Sequence, residues 1–177
     1  MRYTKANWIA LGVDLLRREG PAGLSIDRLT IAAGKTRGSF YHHFADRDRF
    51  LGEFMADWRS DVMEKRAAEL AVTEDRATLI SALRSEPFAL DHSLERQLRY
   101  LAALEPIVRQ ALAEVDQARI SGLATLIAKL RPEVVDPEGT AFVQYAAMIG
   151  TQWLVSDIDD PRLLPALAVA HDLFGLS

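Results

Sequence analysis

Apolar residues in this chain recur at intervals of three and four almost everywhere and hardly anywhere at intervals of two. A helix with 3.6 residues per turn buries a stripe of that spacing, whereas a half-buried strand needs alternation. No sustained run of alternating β-branched residues occurs, and no Asn-Gly or Asp-Gly pair marks a hairpin turn. The chain must therefore bury its core by packing helix on helix, an all-α fold. Its 177 residues, 49% of them apolar, suffice for one substantial core or two small ones sharing an interface.

Capping and breaking residues divide the pattern into about nine helices. Thr4 is placed to cap a helix over Lys5 to Glu19, whose stripe is Ile9, Val13 and Leu16, with Gly20 past its end. The turn cluster GPAGLS ends at Ser25, a second cap, for a short helix from Ile26 to Ala33. Gly34 stops that helix, and Thr36 caps a third one expected to run through Phe44. A long helix follows from Asp46 to about Leu70, with Phe50, Phe54 or Met55, Trp58, Val62 and Met63 along one side. Further helices are expected near 75–85, 91–104, 106–131, 138–156 and 162–174. Pro106, Pro137 and Pro161 stand near helix starts, where a missing N–H costs nothing, and Asp91 and Asp136 are candidate caps.

Composition removes several classes of function. The absence of cysteine excludes disulfides, thiolate metal sites and cysteine nucleophiles. The N-terminus lacks a signal peptide's apolar core, and no apolar run is long enough to span a bilayer, so a cytoplasmic protein is expected. Serines and histidines are scattered with no GxSxG elbow and no glycine-rich phosphate loop, so neither an enzyme nor a cofactor is expected. Charge is uneven. Residues 1–50 hold nine Lys/Arg against five Asp/Glu, while the remainder is net acidic, as for a basic head that meets a polyanion.

The short helix, glycine turn and second short helix spell a helix-turn-helix, whose second helix enters the major groove of DNA. At about 100° per residue, Phe40 and Phe44 share the buried side of the segment TRGSFYHHF. Opposite them lie Gly38 and His42, flanked by Arg37, Ser39 and Tyr41. Gly38 admits close approach of the backbone to a duplex, and Lys35 and Arg37 reach guanine edges or phosphates. Thr36, Tyr41 and the helix N-terminus offer donors to phosphate oxygens. The adjacent His42 and His43 diverge around the helix and cannot chelate one ion, so no metal is expected. His43 turns toward the buried side as a packing residue.

Over residues 5–52 the chain resembles the TetR family of bacterial transcriptional regulators. The resemblance rests on Ala33, Gly34, Thr36, Gly38, Phe40, Tyr41, His43, Phe44 and Arg47 at the spacing of that family's DNA-binding signature. Lys35 departs from it, replacing a small apolar residue, and either adds a DNA contact or lies exposed in the turn. The resemblance implies a homodimer on double-stranded DNA with a palindromic operator, usually a repressor, released by a small-molecule effector. It implies phosphate contacts for Ser25, Thr36, Tyr41 and Arg47, and base contacts among Lys35, Arg37, Ser39 and His42. The expected architecture is a three-helix head over 1–47, on a helical effector-binding and dimerisation body over 48–177.

Within the body, Gln97 near Tyr100, Gln144 near Tyr145 and Gln152 near Trp153 interrupt apolar stripes, the usual form of a small-molecule site. With Trp58 and Met148, the residues Gln97, Tyr100, Gln144 and Tyr145 are candidate effector contacts. The last helix has a stripe of Leu163, Leu167, Ala170 and Phe174, widened by Leu164 and His171, which asks for cover beyond one neighbour. In the preceding helix Ala146 and Gly150 permit close packing, and Trp153 extends the same candidate dimer interface. A different reading keeps the head only as scaffold for a helical binding protein or enzyme, and an activator fits the same fold.

Overall fold

The computed structural model describes residues 3–71, 79–80, 91–155, 160–162, 165–166 and 169, with the backbone alone for 65–71. Seven α-helices are counted among the described residues, where the sequence led to about nine. The difference lies in the segments near 75–85 and 162–174, most of which is outside the described residues. The seven are α1 (Lys5–Glu19), α2 (Ile26–Ala33), α3 (Arg37–Tyr41), α4 (Arg47–Ala71), α5 (His92–Leu104), α6 (Pro106–Leu130) and α7 (Pro137–Leu154). A 3-10 turn over Gly20–Leu24 joins α1 to α2. No strand occurs among the described residues.

Local chemistry sets the helix starts. Thr4 accepts a bond from the Asn7 amide with its hydroxyl oxygen while the Thr4 amide donates to the Asn7 side-chain oxygen, a reciprocal cap. Ser25 and Thr36 accept from the amides of Arg28 and Ser39, and Asp136 accepts from Gly139. Gly34 closes α2 in the left-handed region, at φ 60°, where a side chain is strained. Regular α3 ends at Tyr41, earlier than the expected Phe44. Its bonding continues as a turn, with His43 N–H and Phe44 N–H both donating to the Phe40 carbonyl.

The chain forms two compact units. One comprises residues 1–64 and 93–114, the other 65–92 and 115–177. In the first, the head is built around aromatic rings. Trp8 meets Phe40 edge-on at 5.4 Å, and Phe44 meets Phe50 edge-on at 5.2 Å, the geometry that aromatic quadrupoles favour. Leu15, Leu16, Leu24, Leu29, Leu51 and Phe54 complete that core, all fully buried. At Gly12 a Cβ would lie 2.9 Å from the Phe50 ring, so the missing side chain lets α4 seat against α1. The second unit has its own core, in which Leu123, Ile127 and Leu130 of α6 pack with Leu79 and Ala141.

Candidate nucleic-acid interface

The helix-turn-helix is formed by α2, the turn at Gly34 and α3. Phe40 and Phe44 are buried, as the helical wheel requires, and pin α3 onto the head. Turned outward are Lys35, Thr36, Arg37, Gly38, Tyr41 and His42, with Ser39 half-buried and Ser25 exposed at the start of α2. Gly38 lies in open space. A Cβ there would meet only the Thr36 hydroxyl, at 3.7 Å. Helix stability alone would favour alanine at such a position, so packing gives no reason for the glycine.

The capping hydroxyls keep a free hand. Each of Ser25 and Thr36 accepts an amide bond with its oxygen, and its own O–H remains able to donate outward. Tyr41 is half-exposed and meets Phe40 edge-on at 5.8 Å. The imidazole of His43 points the other way, with Nε2 at 2.9 Å from the Tyr3 carbonyl, and so ties the N-terminal segment to the end of α3. Tyr3 in turn packs edge-on against Trp8 and lies under the Lys35 ammonium, 5.8 Å from it. Partial burial raises the Tyr3 phenol above its ordinary pKa.

Much of the head's positive charge is engaged within the chain. Arg28 grips Glu19 with Nε and Nη2, both at 2.5 Å, which holds the Glu19 carboxyl below its usual range. Lys5 reaches Glu53 at 2.8 Å, and Arg37 of α3 pairs with Asp27 of α2. Arg47 donates from Nε to the Leu24 carbonyl and from Nη1 to Glu105 at 2.6 Å. Its guanidinium thus braces the start of α4, which the sequence signature, carrying only a basic residue there, could not reveal. Nor did the sequence identify Asp27, because a wheel treats one helix at a time and this contact crosses two.

The candidate effector residues divide between the units. In the first, Trp58 is buried, Gln97 sets its side-chain oxygen against Gly20, and Tyr100 is half-exposed. In the second, Gln144 and Met148 are half-buried beside buried Tyr145. The Tyr145 hydroxyl donates to Asp116 at 2.6 Å and accepts from buried Arg119 at 3.3 Å. Burial, with the Asp116 carboxylate beside it, pushes the phenol up to about 12 against the pull of Arg119. Arg119 escaped the sequence reading, although its place in the stripe of Leu112, Val115 and Leu123 was the available signal.

On α7, Ala146 and Trp153 are exposed and Gly150 has open space around it, and Phe142, Val143 and Leu154 are exposed on the same helix. Leu163, Leu164, Leu167, Ala170, His171 and Phe174 lie outside the described residues. Among the described residues no group of three or more His, Asp or Glu could hold a metal ion. No described helix is long and apolar enough to cross a membrane.

Comparison with known proteins adds to this geometry. Residues 9–54 match the model of the bacterial regulatory proteins of the tetR family. No curated protein among those compared matches the chain. Among solved structures, a candidate transcriptional regulator from Saccharomonospora viridis in complex with choline is similar, at TM-score 0.79 and 16% identity. The match covers 97% of this chain and 95% of that one. The reduced form of NemR from E. coli aligns at TM-score 0.75 and 18% identity over 94% of this chain and 93% of its own. A TetR transcription regulator from Haloarcula marismortui aligns at TM-score 0.75 and 17% identity, over 97% and 94%. The match to the family model is confined to the N-terminal region, and the fold of the chain is the fold of these proteins.

Proposed function

We propose that the chain is a ligand-responsive transcriptional repressor, with residues 1–47 reading DNA and residues 48–177 sensing an effector and dimerising. The observation that carries the reading is the outer face of α3. Donors surround a glycine that packing does not require, on a helix fixed by two buried phenylalanines. Ser25, Thr36 and Tyr41 take phosphates, and Arg37, with Lys35, Ser39 and His42, meets base edges across the gap at Gly38. Arg47 braces α4 and adds its charge to the phosphate field.

A homodimer places two such helices about one duplex turn apart, matching a palindrome. The exposed Phe142, Val143, Trp153 and Leu154 of α7 support a covered interface there. A regulator of the same fold holds choline, which supports reading the body as a small-molecule receptor. Gln144, Tyr145 and Met148 are its proposed contacts, with Trp58, Gln97 and Tyr100 as further candidates. Effector binding would favour a head spacing that no longer fits adjacent grooves, which requires different affinities for the two conformations.

The test is a gel shift of the full chain against palindromes upstream of its gene, beside random duplex. Repression predicts a preferred palindrome whose affinity falls steeply with salt. Equal binding to random duplex at every salt concentration would overturn it. A reporter in a deletion strain separates repression from activation.

A further inference from the structure

The Arg37 guanidinium, placed to read bases, is held by a carboxylate from the other helix of the motif. Its Nε and Nη2 lie 2.7 and 2.5 Å from the same oxygen of Asp27. Both side chains are mostly exposed, at 65% and 62%, so the pair adds little to stability. A carboxylate on a face that meets a polyanion is moreover an electrostatic cost to binding. Neither folding nor affinity accounts for it.

Orientation does. A guanidinium carries five N–H donors in a rigid fork. Asp27 takes the flank formed by Nε and one Nη2 hydrogen. The end of the fork, with Nη1 and the other Nη2 hydrogen, is left to point away from α2. Those two parallel donors match the paired O6 and N7 acceptors of guanine. A lone exposed arginine could instead swing to a phosphate, where it carries no sequence information. The Asp27 charge disfavours that swing, because the carboxylate would be left facing phosphates alone.

We propose that Asp27 is a specificity-setting positioning residue, which presents Arg37 end-on to a guanine and keeps it off the backbone. This rests on the DNA-binding reading above. It goes beyond that reading by assigning a role to an acidic residue on α2 that makes no base contact of its own.

The experiment selects sites from a randomised duplex library with the full-length chain, its Asp27→Asn, Asp27→Glu and Arg37→Ala variants, and Asp14→Asn. Asp14 forms an exposed pair with Arg18 on α1 and serves as the charge-matched control. Arg37→Ala should erase preference for a G·C pair at one position per half-site, by about fivefold to a hundredfold. Asp27→Asn should lower preference at that same position by about threefold or more, while binding to random duplex holds or tightens. Asp27→Glu, which keeps the charge on a longer stem, should fall between the unaltered chain and Asp27→Asn. Adding Arg37→Ala to Asp27→Asn should cost less than the two effects multiplied. If the selected G·C pair survives Asp27→Asn, or if Asp14→Asn weakens it equally, the positioning role is overturned while the operator reading stands. If the unaltered chain enriches no sequence at all, the operator reading falls and this one with it.

Discussion

Replacing Gly38 with alanine should make the protein more stable and worse at its proposed task. Gly38 is the second residue of α3, and among the described residues the positive-φ glycines are Gly20 and Gly34, so alanine suits its backbone. The added Cβ would meet only the Thr36 hydroxyl, at 3.7 Å, an ordinary contact. Alanine gains up to about 1 kcal/mol over glycine inside a helix, and about half that is reasonable in the first turn of a short one. For a chain of this size, that raises Tm by about 1–2 °C. On DNA the methyl projects into the space a duplex would fill, and overpacking of one methyl costs about 1–3 kcal/mol, or fivefold to a hundredfold in affinity. Thermal denaturation and fluorescence anisotropy on the same preparation read both signs. A variant with unchanged operator affinity would show that the duplex does not approach α3 at this residue. A lower Tm would refute the claim that packing leaves the position free.

Gly23 makes the opposite case. A Cβ there would lie 2.8 Å from the Leu15 carbonyl oxygen, so Gly23→Ala should cost about 2 kcal/mol or more, seen as a fall in the urea midpoint. An unchanged midpoint would mean that the 3-10 turn shifts freely. Phe40→Ala empties the centre of the aromatic cluster and should cost about 3–5 kcal/mol, and a loss under about 1 kcal/mol would contradict the packing. Arg47→Ala should weaken binding to all sequences alike, in a competition assay, and lower stability by about 1 kcal/mol through the lost Glu105 bond. A base-selective loss would overturn its assignment. Tyr145→Phe removes the bonds to Asp116 and Arg119 and should cost about 1–2 kcal/mol at neutral pH. Because the folded phenol is raised to about 12, its contribution is full below the ordinary value of 10 and fades as pH rises through 12. An alkaline stability curve identical in the Phe variant would refute that linkage.

The features legible in the sequence are those decided within a few residues. Thr4, Ser25, Thr36 and Asp136 each cap a helix where a polar residue precedes an apolar run. The division of α3 into a phenylalanine side and a glycine side follows from helical geometry alone. Contacts across helices were less accessible. Arg37 and Asp27 are ten residues apart, and Arg47 and Glu105 fifty-eight apart, distances at which spacing carries no information. Tyr100 belonged to an apparent apolar stripe yet stands half-exposed, because amphipathic spacing tells which face is buried but not how far its edge extends. Arg119 is a charge within a buried stripe that the sequence analysis passed over, and no spacing could have pointed to its partner Tyr145 on α7.

The ring cluster beneath α3 also makes the molecule its own optical probe. Trp8 is fully buried and meets both Phe40 of α3 and Tyr3 edge-on. Of the three tryptophans, Trp153 is exposed and Trp58 belongs to α4. With those two replaced by phenylalanine, indole emission would come from the head alone. Displacement of α3 would let water reach the ring and shift its emission to the red. Movement of α3 could then be followed in solution without an attached dye.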